Sequence, residues 1–197
     1  MPQVDLVDQK LPGDLAYNAR LIAGGCSASG RASRGWAAPR EARRRKERDM
    51  AELSLQQATT IVEAALGKTR ETGCAPLAVA VLDGGGHLKA FAREDGAGII
   101  RPQIATGKAW GALGMGVGSR TLARRVAEQP QQQAFFSALN AMSQGRVVPA
   151  ASGVLIRDAG GSAIGAVGIS GDVSDKDEAC ALAGIGQARR RHRVATR

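Results

Sequence analysis

With 197 residues, 44% of them apolar, and a formal net charge of +9, the chain is long enough for one domain with a sizeable core and too short for two generous ones. The charge sits at the ends: residues 1–49 hold ten Lys/Arg against six Asp/Glu, residues 187–197 hold five Arg and no acid, and residues 50–186 hold twelve of each. A neutral domain between basic tails argues against a basic nucleic-acid-binding face, and Cys26, Cys74 and Cys180, odd in number and without a CxxC pair, against a disulfide framework or a zinc site.

No apolar run approaches the roughly 18–20 residues of a membrane span, so no span is expected and reduced thiols in the cytoplasm are the default. LIAGGC, ending at Cys26, is faintly similar to a lipoprotein cleavage box, but Asp5, Asp8 and Asp14 precede it where an export signal needs a continuous apolar core. Residues 1–49 mix Gly, Ser, Pro and Arg without periodicity; they bury too little apolar surface to offset their ordering entropy, and disorder is expected. Met50 stands just before the first well-formed element and is the expected natural start, with a solvated tail or a functional basic arm as the alternatives.

Ser54 with Gln57 three residues on reads as a capping box, opening a helix that runs with apolar residues at helical spacing to Gly73. Two apolar runs, 77–82 and 88–92, flank Asp83-Gly84-Gly85-Gly86-His87 and read as a β-hairpin, its glycines supplying positive φ angles and its first strand covered on both faces. A charged loop, Arg93-Glu94-Asp95-Gly96, follows. Pro102 then opens a helix rich in small residues (Ala105, Gly107, Ala109, Gly111, Ala112, Gly114), suited to close packing on the sheet, on another subunit or on a flat ligand. Residues 119–127 and 131–142 read as two shorter helices divided at Pro130. Residues 145–149 return to extended structure, and Gly153 to Arg157 with Ala163 to Ser170 form a second hairpin. Ser174 is the expected cap of a final helix, with Asp175, Asp177 and Glu178 complementing its dipole, before a frayed basic end from Gln187. The order suggests an antiparallel sheet with helices packed on it.

The segments AVAVLDGGGHLKAFAREDGA, ATGKAWGAL and SGVLIRDAGGSAIGAVGISGDVSDKDEACALAGI, in this order and spacing, resemble the GlcG/HbpS family of haem-binding relatives, which includes the C-terminal domain of PduO proteins. The resemblance covers about residues 53–186. It implies an α/β (α+β) fold: a profilin-like α/β/α domain with a central antiparallel sheet of about five strands, and assembly into homo-oligomers. It also implies haem or tetrapyrrole binding, in a family whose haem ligands are not uniformly shared. The front segment and the arginine-rich end depart from the family pattern, which divides the chain into a basic extension 1–49, a domain 50–186 and a basic tail 187–197.

Haem iron takes His, Cys, Met or Tyr. The domain offers His87, Cys74, Cys180, Met115, Met142 and Met50, while Tyr17 and His192 lie in the tails. His87, in the hairpin turn, is read as a solvent-facing residue or as a ligand at a subunit interface; Met115 follows the small-residue helix and could reach a flat cofactor or pack in the core. These two are the expected cofactor contacts. Lys108 shares a helical side with Ile104, Ala112 and Met115, and three readings compete: a head that snorkels to water, a pair with an internal carboxylate, or a site for a substrate or propionate carboxylate. Glu94 and Asp95 precede its helix and are its expected partners, so Arg93, Glu94, Asp95, Lys108 and Met115 form the expected ligand-binding set, and the resemblance favours Lys108 over other basic residues. Asp83, Glu94, Asp95, Asp172 and Asp175 could together bind a metal ion, although turns, capping and solvation explain each separately. Neither a phosphate cradle nor Ser/His/Asp or Cys/His catalysis is indicated. The sequence thus favours a cytoplasmic, oligomeric haem- or tetrapyrrole-binding protein in haem handling or redox sensing. The alternatives are an enzyme converting a small carboxylate, with Lys108 orienting it and Asp95 moving a proton, and an accessory protein without a small ligand.

Overall fold

A computed structural model describes residues 52–195. The expectations for residues 1–49 and for a start at Met50 lie outside the described residues. Helix α1 (Leu55–Thr72) begins with the expected capping box: Ser54 Oγ accepts from the Gln57 N–H at 3.2 Å, and Gln57 Oε1 accepts from the Ser54 N–H at 2.9 Å. It ends at Gly73, whose φ of 60° closes the last turn.

Strands β1 (Ala78–Asp83), β2 (Leu88–Arg93), β3 (Gly153–Arg157) and β4 (Ala163–Ser170) form one antiparallel sheet in the order β2-β1-β4-β3. Strand β1 is buried along nearly its whole length, and alternation sends its residues to two different layers. Val79 and Val81, with Val167 and Ile169 beside them on β4, face α1 and the last helix, α5 (Ser174–Ala195), and with Ile61, Ala65, Ala181 and Ile185 make the main core. Ala78, Ala80 and Leu82, beside Ala166 and Gly168, face α2 (Arg101–Met115) on the other side. The result is the expected α/β/α layering.

The smallness of that second face sets how close α2 comes. A Cβ added at Gly168 would collide with the Ala105 carbonyl, and one at Gly153 with the Lys108 carbonyl. Helices α3 (Ser119–Glu128) and α4 (Pro130–Met142) follow as two short elements broken at Pro130.

Three expectations are corrected. The sheet has four strands, because residues 146–149 lie along α2 instead of joining it: the Val148 N–H donates to the Gly107 carbonyl at 3.3 Å, and Val147 and Val148 cover the glycines at 111 and 107. In the first hairpin only Gly86 has a positive φ (79°); Asp83 Oδ1 organises the rest of the turn, accepting from the Gly85 and His87 N–H groups at 3.0 Å each. And α5 continues past Gln187 to Ala195, because Ala188 extends the buried stripe of Ala181 and Ile185 by another turn.

Two substitutions test the layer spacing. Gly168→Ala is expected to cost about 3 kcal/mol or more, since the backbone it strikes cannot swing aside, whereas Gly67→Ala, in α1 with open space around it, is expected to stabilise by roughly 0.5–1 kcal/mol. Urea unfolding followed by circular dichroism compares them.

Candidate functional site

Strand β3 begins at Gly153, opposite Gly168, so the last residues of β4 lack a neighbour on that side. Ser152, fully buried with a left-handed φ of 89°, fills part of the gap: its carbonyl accepts from the Ile169 N–H at 3.3 Å and its hydroxyl donates to the Ile169 carbonyl at 2.6 Å. Lys108, on the sheet side of α2 and only 3% exposed, completes the arrangement. Its ammonium donates to the Ile169 carbonyl at 2.9 Å and to Ser152 Oγ at 2.8 Å, and lies 3.5 Å from Asp177 Oδ2. Asp177, 1% exposed in the first turn of α5, also accepts from the Gly171 and Asp172 N–H groups at 3.3 and 3.0 Å.

Burial lowers the Lys108 pKa below the usual lysine value, while the charge and hydrogen bond of Asp177 oppose the fall. No buried side-chain polar atom among the described residues lacks a partner. Of the three readings of Lys108, pairing with an internal carboxylate therefore holds, but the partner is Asp177 and not Glu94 or Asp95. The head does not snorkel: two of its donors go to Ser152 and Ile169, and its charge is met by Asp177. Asp177 was expected to face the helix dipole; nothing in sequence spacing links it to a lysine 69 positions earlier.

The other expected ligand residues are not gathered around Lys108. Glu94 Oε2 accepts from the Leu77 N–H at 2.8 Å, extending the hairpin, while Asp95 and Arg93 are exposed. Met115 is half-buried at the end of α2, two turns or about 10 Å beyond Lys108.

His87 stands in the turn between β1 and β2 with its side chain 84% exposed, its Nδ1 facing Asp83 Oδ1 at 3.5 Å. The His87 and Gly85 N–H groups hold the Asp83 carboxyl below the usual aspartate range. Helix α2 covers β1, β3 and β4 but not β2, so Leu88 and Phe91 are left exposed on the strand that His87 leads into. Phe91 lies on the α2 side, opposite Ala80, and Arg93 shares that side, opposite Ala78. The Trp110 indole lies against Gly86 at the turn, with the Arg146 guanidinium 5.9 Å from its ring centre.

A separate cavity of about 770 Å³ opens between the start of α1, the β3–β4 turn and the end of α5. Leu53, Ile61, Ile156 and Ile185 form its apolar floor and Arg157, Arg189 and Arg191 its rim; among the described residues, no His, Cys, Met or Tyr lines it.

The acidic residues weighed as a metal site serve separate local roles. Asp175 and Glu178 bind Arg120, and Asp172 is occupied by the Ala75 and Val173 N–H groups and by Lys176. Among the described residues, no three His, Cys, Asp or Glu side chains are grouped to hold a metal.

Residues 53–186 match the family model described as haem degrading protein HbpS-like. The chain belongs to the HbpS-like family. The match coincides with the α/β/α domain, and its bounds are those of the resemblance read from the three sequence segments. Among solved structures, this HbpS-like chain is similar to a PduOC:haem complex (26% identity, TM-score 0.62, covering 70% of this chain and 95% of that one). It is similar to the Klebsiella pneumoniae protein ORFY (25% identity, TM-score 0.64, covering 72% and 94%) and to HbpS (27% identity, TM-score 0.59, covering 70% and 91%). No curated protein matches the chain.

Two predictions follow from the ion network and the Asp172 cap. Lys108→Met leaves Asp177 charged and buried and is expected to cost about 3–5 kcal/mol in denaturant unfolding, with part recovered in Lys108→Met/Asp177→Asn. The Asp172 carboxyl is held down to about 2 by the Ala75 and Val173 N–H groups, then by Lys176. A folded-state pKa below the unfolded value stabilises the fold above the ordinary aspartate range, and the gain is lost as pH falls through about 4 to 2. The Tm of the wild type should therefore drop more steeply over that window than that of Asp172→Asn.

Proposed function

We propose that this HbpS-like chain binds haem or a related tetrapyrrole through His87, and acts in haem handling or redox sensing. The observation that carries the reading is the imidazole itself: exposed, with Nδ1 turned toward a carboxylate that the turn keeps charged. A carboxylate on Nδ1 favours the tautomer whose Nε2 lone pair is free, and it is the usual second partner of an iron-ligating histidine. Leu88 and Phe91 supply apolar surface for a flat macrocycle, Arg93 on the same strand a cation for a propionate, and Met115 a thioether at the end of α2. The similarity to a chain crystallised with haem supports the ligand class.

Bound haem would supply a redox-active iron. The chain's own part is to offer Nε2, hold the ring through Asp83, and keep water from the apolar face. That face is open in one copy, so a second copy of the chain lying over β2 would enclose it, which favours a homo-oligomer. Conversion of a small carboxylate at Lys108 is disfavoured, because its ammonium is buried at 3% exposure and already paired with the Asp177 carboxylate.

Titrating the haem-free protein with haemin and following the Soret band tests the reading. Saturable binding is expected for wild type and for Met142→Ala, roughly tenfold weaker binding for Asp83→Asn, and a larger loss for His87→Ala. No saturable Soret change in the wild type would overturn the haem reading; an unchanged His87→Ala spectrum would overturn the ligand.

A further inference from the structure

The last turn of α1 carries two threonines, each turned to a different cysteine. Thr69 Oγ1 bonds back to the Ala65 carbonyl at 3.1 Å and approaches Cys180 Sγ of α5 at 3.9 Å. Thr72 Oγ1 lies 3.1 Å from Cys74 Sγ, on the segment that leaves the helix, where the Cys74 N–H donates to the Thr69 carbonyl at 3.2 Å. Both cysteines belong to the core cluster between α1, the sheet and α5, and Thr69 touches both, Cys180 through its hydroxyl and Cys74 through its carbonyl. They differ in access: Cys180 is 1% exposed, Cys74 is half-buried, and both are free thiols. Neither belongs to the His87 surface, and no turn, cap or ion pair needs either of them.

We propose that Cys74 and Cys180 are a reversible thiol pair, oxidised by hydrogen peroxide to an intramolecular disulfide that ties the end of α1 to α5. Cys74, the accessible member, attacks as its thiolate: an S–O bond forms, the O–O bond breaks, and the departing hydroxide takes up a proton as water. The Cys180 sulfur then displaces the oxygen from Cys74. The S–S bond forms, the S–O bond breaks, and the leaving hydroxide takes the Cys180 proton as a second water. Two thiols lose two electrons together, and one molecule of hydrogen peroxide is reduced to two of water. Burial pushes the Cys180 thiol up to about 11, which disfavours it for the first attack and leaves that step to the more accessible Cys74. The reaction uses no part of the haem reading.

The test treats the full-length, haem-free protein with hydrogen peroxide, alkylates the remaining thiols after denaturation, and maps the peptides. The expected product is a cross-link joining the Cys74 and Cys180 peptides within one chain, reversed by dithiothreitol, with Cys26 still alkylated. In Cys180→Ser, Cys74 should stop at a sulfenic acid that dimedone traps; in Cys74→Ser, Cys180 should oxidise at least tenfold more slowly than in the wild type. A wild-type protein that keeps both thiols, links them between chains, or pairs either with Cys26 overturns the proposal. Oxidation of Cys180 in Cys74→Ser at the wild-type rate overturns the order of attack. Because wild type and peptide mapping suffice for the main outcome, a variant that fails to fold does not decide it.

Discussion

Where β3 stops short of β4, the ammonium of Lys108 takes the place of the strand that is missing. It reaches the Ile169 carbonyl from α2, shares Ser152 with it, and meets Asp177 from α5, so one cation joins both helical layers to the end of a central strand. The approach depends on Gly153 and Gly168, whose missing side chains let the α2 backbone settle onto the sheet. Such a network is costly to assemble, because both charges leave water, and costlier to break, because the remaining charge is stranded. Its lowered lysine pKa expresses the first part of that balance. Its worth lies in fixing the relation of α2, β4 and α5.

The same packing decides which surfaces remain for other work. Alanines and glycines make α2 narrow and draw it close over β1, β3 and β4, and β2 is left with its apolar side uncovered. The first hairpin therefore presents Leu88, Phe91 and His87 outward while its other side, through Ala90 and Ala92, still helps to close the main core. Interior charges serve the fold, and the chemistry that can meet a ligand lies on the edge strand and its turn.

Helix α5 connects the interior network to the thiols. Cys180 follows Asp177 by three residues, nearly one turn, so the sulfur facing the end of α1 and the carboxylate facing Lys108 lie on neighbouring positions of one helical side. The Asp177 charge also raises the Cys180 pKa, after burial and the neighbouring Cys74. A covalent change at Cys180 would act on the element that anchors the lysine.

Local signals were legible in the sequence because their causes are local. The capping box at Ser54, the stop at Gly73, the two hairpins and the break at Pro130 each depend on residues within a few positions of one another, and the ordered segments from 78 to 185 were enough to reveal the HbpS-like family. The small residues of α2 foretold close packing but not its object, since sheet, subunit and cofactor all accept a small-residue face. The partner of Lys108 was illegible: Glu94 and Asp95 are near in sequence, but the Leu77 N–H claims Glu94, and only the turn at Gly171 brings Asp177 across the end of β4. The fate of residues 146–149 was equally a tertiary matter, because an extended segment joins a sheet edge or a helix groove according to which offers room, and Gly107 and Gly111 offered it on α2. Sequence by itself determined the elements, the layering and the family; the tertiary structure alone decided which charges are spent on the fold and which side chains stay available, because burial and long-range pairing do not exist until the layers meet.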